Sequence, residues 1–433
     1  MGKNLATEMA PPFVLVAHYF IAGAVFYAIS AFVLPFYATE IDSYFLSTAI
    51  ASLLHLYLLG FIMMVIFGAM YQLIPVILEV PIFSKDFAYI QFYMFTVGIL
   101  LFTYGLWNES YIVLLPYGGI MMYLSMLIFV VNVFLTYREL TNWNIVAKFI
   151  LVSNIFLFIG VTIGFIIALN LIYGFYPDIL TLVKMHIAST IFGYVIMTIM
   201  GVGMILLPMF SLSHGFSQVS IETAFYTVII GLLLFLLGSY MENSLIEFGG
   251  LFFIIVSVFL ALYQMWLIFS TRIRKQNDFW AKNMIASFVS VIVSFLILVF
   301  AIVSENDTYY TLFGYTLFFG FFVFFIVGHI YKILPFLVWY QRYSPLVGKI
   351  KVPMLNEMVK EKVADMQFWI TLVGLLFSMY AIAFGVSVMF QIGTVLMGIG
   401  TLMVLYNIYF TLVYGLEELR EFEKKEKSSG TSN

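Results

Sequence analysis

HLYLLGFIMMVIFGAMYQLIP, residues 55–75, is an apolar run entered by a histidine and closed by a proline. As a helix it extends roughly 30 Å, the thickness of a bilayer's hydrocarbon core. A segment of this length and composition reads as a membrane span. It raises the question of why an imidazole stands at its start, where polar groups are costly.

The rest of the chain repeats the pattern. Of 433 residues, 64% are hydrophobic and 9% charged, far from the balance of a soluble domain. Twelve apolar runs are centred near residues 24, 62, 97, 124, 157, 195, 231, 258, 291, 324, 379 and 404. No hydrophilic block between them could form a separate domain. The fold class expected is therefore an all-α polytopic membrane protein, and the bilayer its first partner.

The formal net charge of −3 hides a segregation. Cations collect in alternate connections: Lys85; Arg138 and Lys148; Arg272, Arg274, Lys275 and Lys282; Arg342, Lys349, Lys351, Lys360 and Lys362. The tail adds Arg420, Lys424, Lys425 and Lys427. The opposite connections carry Glu40, Asp42, Glu109, Asp178, Glu242, Glu247, Glu305 and Asp307, with Lys184 their one cation. The positive-inside rule then places both termini in the cytoplasm, as an even number of spans requires. MGKNLATEMAPP lacks the apolar core and cleavage site of a signal peptide. It reads as a cytoplasmic lead-in, with Pro11 and Pro12 opening the first helix. The absence of cysteine excludes disulfides, thiolate metal sites and iron–sulfur ligation. Nothing points to nucleic acid.

Glycine and proline reveal a repeat. Gly60, Gly68 and Pro75 share their spacing with Gly193, Gly201 and Pro208, and with Gly320, Gly328 and Pro335. Two glycines eight apart lie on one helix face, where a neighbouring helix or a flat ligand can approach closely. The proline is expected to close each helix at the cytoplasmic surface. Runs 4, 8 and 12 also end alike, in TYREL (136–140), STRIRK (270–275) and LEELREFEKK (416–425). The chain divides into three four-helix repeats, approximately 12–140, 144–275 and 279–420, followed by a charged cytoplasmic tail over 421–433. A pseudo-threefold arrangement with runs 2, 6 and 10 innermost follows.

Of five histidines, His214 sits in the polar loop SLSHGFSQ and reads as solvated. His55 and His186 precede their repeat prolines by 20 and 22 residues. That puts them within ~3 Å of each other in depth, in the outer half of the membrane. His329 and His18 lie towards the cytoplasmic side. Each of these four has a plain alternative as an interhelical hydrogen-bonding group. Neutral imidazole is also an axial ligand for haem iron, and a glycine-lined aromatic slot suits a porphyrin. The candidate metal ligands are His55 and His186, with His18 and His329 behind them. Gly60, Gly68, Gly193 and Tyr315 are the candidate cofactor-binding positions. Met185, Met204 and Met209 keep copper open as a lesser alternative.

Twelve spans in three arcs, with a histidine opening the second, resemble the catalytic subunit I of the haem–copper oxidase and nitric oxide reductase superfamily. HLYLLGFIMMVIFGAMYQLIP is similar to the reductase helix whose leading histidine ligates the low-spin haem, and the resemblance carries that role to His55. NDTYYTLFGYTLFFG (306–320) is similar to the oxidase stretch entering helix 10. The departures are specific. Phe313 and Tyr315 stand where the family has its His-x-His pair, and no histidine lies between His214 and His329 to supply copper. His186 matches the helix 6 copper ligand, but Thr190 replaces the tyrosine often found four residues later. GHIYKILPFLVWYQRYSP (328–345) resembles a segment of uncharacterised bacterial relatives of oxidase subunit I, which adds Lys332 and Trp339 as candidates.

The resemblance implies a scaffold of the oxidase kind without its complete haem–copper centre. The reading favoured is a b-type haem protein of the bacterial inner membrane, with one haem b or two, in electron transfer or binding of a diatomic gas such as nitric oxide. His55 and His186 are its axial candidates, and Lys184, Tyr71 and Tyr331 lie next outward. A redox partner protein or respiratory subunit would be its partner. A transition-metal or haem transporter, a divergent terminal oxidase or nitric oxide reductase subunit, and a purely structural subunit remain alternatives.

Overall fold

The computed structural model describes residues 11–40, 47–273, 275, 277–417 and 419. The lead-in, Asp42, Arg274 and the basic tail lie outside the described residues. Twelve helices long and apolar enough to cross a membrane account for most of the rest. They are α1 (Phe13–Thr39), α2 (Thr48–Leu78), α3 (Lys85–Trp107), α4 (Leu114–Glu139), α5 (Ile145–Tyr173) and α6 (Ile179–Ser211). The others are α7 (Val219–Tyr240), α8 (Ser244–Ser270), α9 (Phe279–Ser304), α10 (Asp307–Arg342), α11 (Glu361–Phe384) and α12 (Ser387–Val413). Polar N-caps start many of them. Ser47, Ser84, Asn144, Asp178, Asn243, Asp278 and Asn306 each accept a bond from a backbone N–H of the first turn, which hydrocarbon would otherwise leave unsatisfied.

Two compact units are distinguished. One holds residues up to Phe26 and Ser43–Gln276; the other holds Tyr27–Asp42 and Asn277 onward. Helices α2 to α8 therefore belong to the first unit, and α9 to α12 to the second. Helices α6 and α10 are 89% buried over their apolar windows and α2 61%, against at most 56% elsewhere. The three helices that share the glycine–proline spacing are the most enclosed.

These helices also share a backbone irregularity. A π-helical segment interrupts α2 at Leu58–Met63, α6 at Ala188–Ile196 and α10 at Thr316–Phe322. Each contains the first repeat glycine. The widened turn admits an extra residue and turns the side chains that follow, a feature frequent at functional sites.

The glycine faces are filled by protein. A Cβ on Gly60 would stand 2.7 Å from the Phe26 ring, and one on Gly68 2.6 Å from Tyr19 Cβ, both on α1. Gly193 and Gly201 meet Phe156 and Phe149 of α5 in the same way, at 2.7 and 2.5 Å. Gly320 and Gly328 meet Ser290 of α9 at 3.0 Å and Met284 of the same helix at 2.8 Å. Of the two occupants that the glycines could admit, a neighbouring helix takes the place at Gly60, Gly68 and Gly193.

The prolines do not close their helices. Pro75, Pro208 and Pro335 lie inside α2, α6 and α10, which run on to Leu78, Ser211 and Arg342. Proline removes one intrahelical bond, and near a helix end this is tolerated. Helices α2 and α6 stop instead at Glu79 and Leu212, both in the left-handed region at φ 55°. That conformation costs an ordinary L-residue roughly 1–2 kcal/mol.

A second recurrence ties each four-helix set together. Asn132 of α4 receives the backbone N–H of Ser84 and donates to its carbonyl, 48 residues away. Gln264 of α8 donates to the Ser217 carbonyl, and Asn407 of α12 receives the N–H of Lys360, each at a separation of 47. An amide on the fourth helix thus pins the connection before the third. In the first and third sets a tyrosine joins in: Tyr71 donates to Gln91 Oε1, and Tyr331 donates to Gln367 Oε1 at 3.4 Å. The place of Tyr71 is taken by Met204 in the second set.

Candidate functional site

His55 and His186 come together in the first unit. Their rings are almost parallel, with 10° between planes and 6.2 Å between centroids. His55 stands three residues before the π-helical segment of α2, and His186 two residues before that of α6. The spacing to the prolines placed both at one depth, and the helix pairing supplies the lateral approach.

The hydrogen bonds define the protonation of both rings. His55 Nδ1 lies 2.7 Å from the Ala51 carbonyl, one turn back on its own helix. His186 Nδ1 lies 2.8 Å from the Gly160 carbonyl on α5. A carbonyl only accepts, so Nδ1 carries the proton in each neutral ring and Nε2 keeps its lone pair. Neither Nε2 has a hydrogen-bond partner among the described residues, and both residues are only half-buried. A backbone carbonyl behind Nδ1 is the usual support of a metal-ligating histidine, fixing tautomer and ring orientation. Phe102 of α3 flanks the His55 ring at 5.2 Å.

The environment of His186 was not foreseen. Gly160 and Gly164 of α5 lie beneath it: a Cβ on Gly164 would stand 2.6 Å from His186 Cε1, and one on Gly160 2.6 Å from Thr190 Cγ2. Thr190 donates to the His186 carbonyl at 2.7 Å. The signal available in the sequence was G-V-T-I-G (160–164), a small-xxx-small pattern in an apolar helix.

Other candidates have different surroundings. His18 stacks on Phe92 at 5.6 Å in the first unit, and its Nδ1 is buried with no hydrogen-bond partner among the described residues. His329 belongs to the second unit. Its Nδ1 donates to the Phe325 carbonyl at 2.7 Å, and its ring packs on Phe325 and edge-on to Trp280. Tyr315 donates its hydroxyl to the Met397 sulfur at 3.4 Å. Lys184 pairs with Glu247 at 2.9 Å. Lys332 pairs with Asp278 at 2.8 Å, where the same carboxylate caps α9 through its other oxygen. Trp339 donates to the Pro353 carbonyl, and His214 is exposed in its loop. Met209 is exposed and Met204 buried. Among the described residues no group of three or more His, Cys, Asp or Glu side chains is placed to hold a metal ion.

At the N-terminus of α6, Asp178 receives the N–H of Thr181 at 3.2 Å. The bonds from Thr181 hold its carboxyl below the ordinary aspartate value.

No protein-family model and no curated protein sequence matches the chain. Among solved structures the fold is similar to that of a haem–copper terminal oxidase determined as a dimer by cryo-electron microscopy. The TM-score is 0.67 at 14% identity, covering 95% of this chain and 85% of that one. The twelve-helix scaffold is of the oxidase subunit I kind.

Proposed function

We propose that this protein holds a b-type haem and that His55 and His186 are the residues that would ligate its iron. The observation that carries the reading is the pair itself: two near-parallel rings from different helices, each with Nδ1 tied to a carbonyl and Nε2 unbonded. Donor count favours a macrocycle over a bare ion. A structural zinc site wants four protein ligands, whereas a porphyrin supplies four nitrogens itself and asks the chain for two.

Bound there, a haem would supply one-electron redox chemistry or an iron able to bind a diatomic gas such as nitric oxide. The chain's own part is to fix both imidazoles in the ligating tautomer through the Ala51 and Gly160 carbonyls, with the Phe102 ring beside His55. The role that follows is electron transfer or gas binding in the bacterial cytoplasmic membrane, with both termini inside and an electron-donating protein or respiratory subunit as partner. The three four-helix sets, each with its amide-pinned connection, are repeats of one unit.

The test is the absorption spectrum of protein purified after haem-replete expression. A Soret band that His55→Ala abolishes supports the reading. No Soret band in the wild type, or one untouched by His55→Ala, would refute it.

A further inference from the structure

His186 differs from the other two carbonyl-bonded histidines. His55 and His329 fold back onto the carbonyl four residues earlier in their own helices, at Ala51 and Phe325. His186 bonds a carbonyl of another helix, Gly160 of α5. That carbonyl lies inside α5, which runs without a break through Ile145–Tyr173. Its first lone pair serves the intrahelical ladder, and only the second can serve an outside donor.

A helix interior normally hides that second lone pair. Each Cα–Cβ bond tilts towards the N-terminus, so the side chain at i+4 covers the turn that contains the carbonyl of residue i. The residue four after Gly160 is Gly164, with no side chain to cover anything. The imidazole occupies the place where that side chain would be. A Cβ on Gly164 would lie 2.6 Å from His186 Cε1 and 2.9 Å from Nδ1. Contacts that short cannot stand, and the ring could escape only by leaving the carbonyl. Gly160 makes a different contribution. Its own missing Cβ lets α6 approach so closely that Thr190 Cγ2 and Ser189 Cβ would stand 2.6 and 3.1 Å away.

We infer that Gly160 and Gly164 are positioning residues for His186: Gly160 brings α6 against α5, and Gly164 bares the carbonyl and seats the imidazole with Nε2 free. What Nε2 then binds rests on the haem reading above. The seating itself does not.

The experiment therefore has a haem-free and a haem-bound arm. In haem-free protein, thermal unfolding is compared for wild type, Gly164→Ala, His186→Ala and the double variant. Gly164→Ala is expected to lower the midpoint in the wild-type background and to have no further effect once the ring is removed. Should Gly164→Ala fail to fold, the double variant is expected to fold. Equal effects in both backgrounds, or failure of both variants to fold, would overturn the inference. Gly201→Ala is the control: its Cβ meets Phe149 at 2.5 Å on the same α5–α6 interface, away from the ring. It is expected to lower the midpoint equally with and without His186.

In the haem-bound arm, Gly164→Ala is expected to shift the spectrum from six- to five-coordinate, as His186→Ala does, and added imidazole to restore the wild-type form. A wild-type spectrum in Gly164→Ala beside a shifted one in His186→Ala would overturn the inference and leave the haem reading intact. Thermal coupling between the two positions in protein that takes up no haem would do the reverse.

Discussion

Five residues before the first repeat glycine, α2 carries His55 and α10 carries Tyr315. Both helices then pass through a π-helical segment, pack two glycines against the first helix of their set, and carry a proline near the C-terminal end. The side chains at the shared position behave differently. Tyr315 closes its hydroxyl on the Met397 sulfur within the second unit. His55 spends Nδ1 on its own helix, and its Nε2 has no partner among the described residues. The contrast between the two positions is a ring nitrogen left open on α2 and a hydroxyl closed on sulfur on α10.

The largest difference is expected when the open ring nitrogens and the closed hydroxyl are removed separately. His186→Ala is expected to leave haem on His55 with one axial position free. Carbon monoxide should then bind the reduced protein at least tenfold faster than the wild type. Tyr315→Phe, which deletes one hydrogen bond worth about 1 kcal/mol, is expected to leave the spectrum and gas binding unchanged. A spectral change in Tyr315→Phe would show that the α10 position is also chemical.

A smaller effect is expected at the shared frame. Gly60→Ala and Gly193→Ala would each drive a methyl group into a phenylalanine ring, Phe26 or Phe156, at 2.7 Å. Overpacking of this kind costs about 1–3 kcal/mol. Both variants should unfold at lower temperature with the haem spectrum retained. Loss of the spectrum at unchanged stability would mean that these glycines face the cofactor after all.

The smallest expected effect lies at the membrane surface. Asp178 caps α6 eight residues before His186. Its carboxyl is held below the ordinary value of 3.8 by its bonds from Thr181. A depressed carboxyl stabilises the folded form above that value and loses the contribution as pH falls through the folded one. Amide exchange over residues 179–182 should therefore speed up below pH 3.8 beyond its intrinsic change. Asp178→Asn, a cap that does not titrate, should abolish the excess.

The parts of this molecule that were legible in the sequence are those encoded by composition or by residues with special backbones. Twelve spans follow from hydropathy, because hydrocarbon leaves a chain few choices. The inner helices follow from the spacing of Gly60, Gly68 and Pro75 and its two echoes. The depth match of His55 and His186 follows from counting back from Pro75 and Pro208. What was hidden depends on azimuth and on distant partners. A glycine face does not say whether a helix or a ligand fills it; Phe26, Phe149 and Phe156 are the answer for α2 and α6. The π-helical segments have no residue signature in LLGFIM or TLFFGFF, so the prolines alone suggested where the helices would end, and wrongly. Gly164 was overlooked because its role needs a ring from a different helix lying on a carbonyl four residues earlier. The amide staples join residues 47 or 48 apart across a connection. No local pattern announces them.

Whether one iron takes both imidazoles is read from electron paramagnetic resonance of the oxidised, haem-loaded protein. A low-spin ferric signal of the bis-imidazole type is expected in the wild type, converted to a high-spin signal by His186→Ala. A high-spin signal in the wild type, or a low-spin signal that survives His186→Ala, would contradict a shared iron.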